Sequence, residues 1–175
     1  MKYKIGETII PRERIEKRAG EIGEEISNDY QGEEVVVIGI LKGAVMWMSE
    51  LIKHVTVDTR LDFMAVSSYG SSTKSSGVVK INKDLDASIE GKNAIIVEDI
   101  VDSGVTLNYL REYLLGMGPK SLKICTLLDK PSGRRKDINV DYIGFTVGDA
   151  FIVGYGLDYD QRYRNLPYIT SIVEA

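Results

Sequence analysis

Val35-Val36-Val37-Ile38-Gly39-Ile40 is an unbroken apolar run rich in β-branched residues, and it restricts the fold of this chain more than any other segment. A strand with one wet face alternates polar and apolar side chains. A continuous run marks a strand covered on both faces, as in a parallel sheet with helices on either side. The neighbouring segments supply those helices. Over 11–29, Ile15, Ala19, Ile22 and Ile26 recur at helical spacing among charged residues, with Pro11 suited to the first turn. A second helix is expected at 43–53. Leu107, Leu110, Leu114 and Leu115 give a third apolar helical face over 105–115, closed by Gly116 and Gly118. Further strands are expected at 61–67, 78–82, 94–100, 122–128 and 142–147. Alternating strands and helices with short connections predict one doubly wound α/β domain over 1–175, a mostly parallel sheet flanked by helices. In such sheets ligands bind beyond the carboxyl ends of the strands.

One stretch breaks this rhythm. Ser67-Ser68-Tyr69-Gly70-Ser71-Ser72-Thr73-Lys74-Ser75-Ser76-Gly77 has nothing apolar except its tyrosine, and reads as a mobile loop, either a linker or a lid. Charge narrows the partners. With 22 Lys and Arg against 26 Asp and Glu the net charge is −4, which argues against a surface built to hold nucleic acid by its phosphates. The lone cysteine, Cys125, cannot form an intrachain disulfide, and its apolar flanks read as a buried strand. No apolar stretch follows the charged Met1-Lys2-Tyr3-Lys4, and no run approaches membrane-spanning length, so a cytoplasmic, reducing location with no membrane partner is expected. Trp47 and His54 read as structural.

The strongest chemical signal is Ala94-Ile95-Ile96-Val97-Glu98-Asp99-Ile100-Val101-Asp102-Ser103-Gly104-Val105-Thr106-Leu107. An apolar strand runs through two carboxylates into a turn that opens a helix. The turn's backbone N–H groups, the hydroxyls of Ser103 and Thr106 and the positive helix end would cradle a phosphate. Glu98 and Asp99, at the strand's end, suit ribose hydroxyls or a hydrated Mg²⁺. Asp102 lies between, where a proton acceptor could act. The plainer alternative has Asp102-Ser103-Gly104 merely capping the helix, with Glu98 and Asp99 solvated. It loses ground because two bare charges directly after Ile95-Ile96-Val97 are costly without partners. The Walker-type and dinucleotide fingerprints are both absent.

The ten residues 97–106 resemble the fingerprint of the type I phosphoribosyltransferases. Leu41-Lys42-Gly43-Ala44, Leu127-Leu128-Asp129-Lys130 and the run from Asp149-Ala150-Phe151 to Leu157-Asp158-Tyr159 resemble its hypoxanthine-guanine branch. The resemblance implies that fold, with a small hood and a flexible lid carrying Ser68 and Tyr69. It implies transfer of a ribosyl phosphate from phosphoribosyl pyrophosphate to a 6-oxopurine, with Mg²⁺ as cofactor and a homodimer or homotetramer as the assembly. By the same resemblance Lys42, Gly43, Glu98, Asp99, Asp102, Ser103, Gly104, Val105, Thr106 and Arg164 bind phosphoribosyl pyrophosphate, and Asp102 is catalytic. Glu98, Asp99 and Asp158 attend the metal, while Lys130, Phe151, Ile152 and Asp158 bind the purine. The resemblance further suggests a strained Leu41-Lys42 peptide in the cis form.

Lys130 can only donate, so it would donate to the oxygen at position 6 of hypoxanthine or guanine and reject the amino group of adenine. Phe151 offers a stacking face. A competing reading is a nucleotide-responsive regulator on the same fold that binds RNA or DNA. The net charge and the lack of an added DNA-reading helix count against it.

Overall fold

The computed structural model describes residues 3–68 and 79–174. The chain begins β1 (Tyr3–Ile10), α1 (Arg12–Asp29), β2 (Glu34–Leu41), α2 (Val45–Leu51), β3 (Asp58–Ser68) and β4 (Val79–Lys83). It continues β5 (Asn93–Val101), α3 (Val105–Leu115), β6 (Ser121–Asp129), β7 (Tyr142–Thr146), β8 (Ile152–Val153) and β9 (Ile169–Glu174). A six-stranded sheet runs in the order β4-β3-β2-β5-β6-β7, with all neighbours parallel except the β3–β4 pair.

Both faces of the central strands are buried, as the apolar run at 35–40 requires. Val35 and Val37 join a core with Ile15, Ala19, Ile22 and Ile26 of α1 and Trp47 of α2. Val36, Ile38 and Ile40 join a second core with Leu107, Leu110 and Leu114 of α3. Strand alternation therefore divides one sequence run between two helical layers.

The boundaries shift where turns compete with helix. Residues 42–44 form a turn, so α2 starts at Val45 and not at 43, and it ends in a 3₁₀ turn, Ile52–His54. Pro11 stands at the N-cap, one residue before α1. β1, β8 and β9 form a separate antiparallel sheet in the order β1-β9-β8, which supplies the small hood that the resemblance implies. Its strands are short or half exposed, so no long apolar pattern announces them. Of the expected lid only Ser67 and Ser68 are described, at the end of β3; Tyr69 and the rest of 69–77 lie outside the described residues.

Cys125 and Trp47 are fully buried. Burial pushes the Cys125 thiol up from 9.0 to about 12. Because the native thiol holds its proton while the unfolded one releases it, this group's contribution to stability falls as pH rises above 9.0. An alkylating reagent at pH 8 should leave the native protein unlabelled and modify one thiol per chain in denaturant; labelling of the native state would contradict this burial.

Candidate active site

The strand order reverses between β2 and β5, so the loops that leave their carboxyl ends diverge and open a crevice. Lys42 and Gly43 follow β2, and Asp102 to Thr106 follow β5. Alternation along β5 sends Glu98 and Asp99 to opposite faces. Asp99 lines a cavity of about 230 Å³ with Lys130, Phe151, Ile152 and Asp158. Glu98 lines a neighbouring cavity of about 190 Å³ bounded by Ser103, Gly104 and Thr106. Asp102 borders both.

Burial pushes the Glu98 carboxyl well above its usual range, and the charge of Asp99 adds to the effect. Burial raises Asp99 too, opposed first by the Ile100 N–H donated to its Oδ1 at 2.7 Å and then by the Arg164 guanidinium. A Cβ on Gly43 would collide with the Asp99 carboxylate, and one on Gly156 would collide with the Gly43 carbonyl. Bare backbone thus packs around this carboxylate, which side chains would otherwise fill.

Of the segment Asp102-Ser103-Gly104, the last two residues cap α3, and the Asp102 side chain does not. α3 has Gly104 at its N-cap, at φ +74°, and this glycine has no side chain to offer. The nearest substitute is Ser103 Oγ, which accepts the Val105 N–H at 3.3 Å. Asp102 is exposed, and a Cβ on Gly133 would run into its Oδ1. Segment 130–136 clamps the turn from that side. Lys130 N–H donates to Val101 O at 3.0 Å, and the N–H groups of Arg135 and Lys136 both donate to Ser103 O. Arg134 pairs with Asp129 and also donates to Asp102 O at 3.0 Å.

The remaining expected residues surround the first cavity. Lys130 places Nζ 3.0 Å from Asp149 Oδ1. Phe151 is 55% exposed and meets Tyr159 edge to face at 5.6 Å, while Ile152 is buried in β8. The Leu41-Lys42 peptide is cis, as the resemblance suggests. Arg164 donates to Gly156 O at 2.7 Å and pairs with Asp158 at 2.7 Å.

Residues 7–160 match the model of the phosphoribosyl transferase domain. The chain belongs to the phosphoribosyltransferase family. Across all 175 residues this phosphoribosyltransferase is 56% identical to the hypoxanthine-guanine phosphoribosyltransferase of Bacillus subtilis, covering 97% of that protein. It is 50% identical to the hypoxanthine phosphoribosyltransferase of Salmonella typhimurium over 99% of this chain and 98% of that one. A crystal structure of the Staphylococcus aureus hypoxanthine phosphoribosyltransferase superposes with a TM-score of 0.94 at 47% identity, over 97% of this chain and 92% of that one.

Three residues that touch the expected site residues of this phosphoribosyltransferase escaped the sequence reading: Gly133 and Arg134, beside Asp102, and Gln161, beside Lys42 and Arg164. The turn signal Pro131-Ser132-Gly133, directly after a strand end, could have drawn attention to the first two. Gln161 has no such signal.

Proposed function

We propose that this phosphoribosyltransferase transfers the 5-phosphoribosyl group of phosphoribosyl pyrophosphate to hypoxanthine and/or guanine, giving IMP or GMP and pyrophosphate. The reaction belongs to purine salvage. The observation that carries this reading is the position of Asp102, shared by a cavity lined by the donor Lys130 and the aromatic Phe151, and by one bounded by the phosphate turn. A base seated in the first cavity and a sugar phosphate held by the second would meet at that carboxylate.

Each group then has a task. Backbone N–H groups of 103–106 with the hydroxyls of Ser103 and Thr106 hold the phosphate on the ribosyl group, aided by the positive end of α3. Lys42 and Arg164 face the charge that grows on the departing pyrophosphate. Asp102 takes the proton that the purine sheds as its nitrogen bonds to C1 of the ribose. Lys130 donates to the oxygen at position 6, and Phe151 covers the ring.

The donor set fits Mg²⁺. Among the described residues no group of three or more His, Cys, Asp and Glu is arranged to hold a metal alone. Asp99 and Asp158 line one cavity, and Glu98 lies on the other face of the strand. One or two carboxylates with substrate oxygens and waters is how Mg²⁺ is usually held, and the cation would relieve carboxyls that burial disfavours in charged form. When bound, it supplies positive charge to the pyrophosphate oxygens.

No helix among the described residues is long and apolar enough to cross a membrane. The reading places the enzyme in the cytoplasm, as one catalytic domain in a homodimer or homotetramer. Steady-state assays with phosphoribosyl pyrophosphate and hypoxanthine, guanine, xanthine or adenine test the reaction. Hypoxanthine or guanine should turn over, and adenine should react at least about a hundredfold less efficiently, because Lys130 offers no acceptor to its amino group. A preference for adenine would overturn the assignment.

A further inference from the structure

Gln161 Oε1 accepts hydrogen bonds from two cations at once, Lys42 Nζ at 3.2 Å and Arg164 Nη2 at 3.3 Å. These are the two residues to which the reading above gives the pyrophosphate. We propose that the side-chain amide of Gln161 is a built-in occupant of the pyrophosphate subsite, which the incoming anion must displace. The proposal rests on that reading and adds a residue that tunes its affinity.

The contact is aimed by its surroundings. Gln161 at φ +62° and its neighbour Asp160 at +51° both lie in the left-handed region that side chains rarely adopt. Such a backbone persists only where neighbours enforce it. The backbones of Tyr159 and Arg162 close this turn with reciprocal hydrogen bonds at 3.2 and 3.0 Å, and Asp158 braces it: its Oδ2 accepts the Gln161 N–H at 2.8 Å, while its Oδ1 lies 2.7 Å from Arg164 Nη2. One carboxylate thus bonds both the backbone that projects the amide and the guanidinium that donates to it.

The choice of an amide has consequences. A neutral oxygen gives each cation a weaker bond than a phosphoryl oxygen would, since an anionic acceptor adds the attraction of opposite charges to the same hydrogen bond. The amide therefore keeps two positive heads converged on one point and yields to an anion. Measured affinity for pyrophosphate is net of that displacement, and return of the amide favours release of the product.

Glutamate at 161 would be a charged, retained occupant, and asparagine would be too short to reach while tolerating the left-handed backbone. Calorimetry with inorganic pyrophosphate and Mg²⁺ distinguishes the outcomes. Relative to the parent, Gln161→Asn should bind at least about threefold more tightly and Gln161→Glu at least about tenfold more weakly. A purely structural role moves both variants in the same direction or neither, and either result overturns the proposal. Lys42→Ala separates the proposal from its foundation. If the parent does not bind pyrophosphate, or Lys42→Ala binds it equally well, the subsite assignment fails and takes the proposal with it. If Lys42→Ala weakens binding but the two Gln161 variants do not diverge, the proposal alone fails.

Discussion

Asp102→Asn should turn over roughly 10²-fold or more slowly than the parent while binding phosphoribosyl pyrophosphate almost as well, since general-base effects are typically 10²–10⁴-fold. Asparagine keeps the size of the side chain, so the substitution removes charge and leaves shape. The surroundings support that separation. The Asp102 carbonyl is held by Arg134, and the turn beyond it is held through Ser103 O by Arg135 and Lys136. None of these bonds uses the carboxylate. Nor does the helix depend on it, because the side-chain oxygen that meets the first turn of α3 is Ser103 Oγ. An interaction that strengthens only as the proton moves should lower kcat and spare substrate affinity. The deciding measurement is kcat together with phosphoribosyl pyrophosphate affinity across pH. A near-parental kcat would leave the base of this reaction unassigned.

Lys130→Met is the second large effect. Methionine has similar length and no donor, and the backbone N–H to Val101 O stays in place, so only the ammonium is lost. An acceptor left unpaired in a closed site costs about 1–3 kcal/mol, roughly a 5- to 150-fold loss in kcat/KM for hypoxanthine. The orphaned partner adds little, because Asp149 is 83% exposed and water replaces the ammonium. Unchanged kcat/KM for hypoxanthine would remove Lys130 from the base site.

The sequence displayed the parallel sheet because burial on both faces leaves an unmistakable run, as at 35–40 and 94–97. The course of 97–106 from strand through turn to helix was equally legible, since an apolar run, a Ser-Gly turn and a helical stripe follow one another there. The hood was not. β8 is only two residues long, and β1 has exposed apolar residues such as Ile5 and Ile9 that follow no core-facing stripe. Arg134 and Gln161 were hidden for another reason. Arg134 acts by bonding a carbonyl 32 positions away and Gln161 by bonding a lysine 119 positions away, and no local pattern records such distant partners. The separation of Glu98 from Asp99 was available in principle from strand alternation, but two adjacent acids invite reading as a pair.

The hood sheet joins segments far apart in sequence: Tyr3 pairs with Glu174, and β9 lies between β1 and β8. During synthesis the parallel sheet can assemble once β7 has been made, because its strands all lie between residues 34 and 146. The hood cannot. β1 waits for residues 169–174 to be made before it has its partner, and the long loop it closes offers no local contact to hold it meanwhile. Ile152, in the strand that β9 must cover, waits with it. The order of synthesis therefore places the turn at 102–106 on an early scaffold, and the cavity wall at Phe151 and Ile152 is held by its β9 neighbour only later.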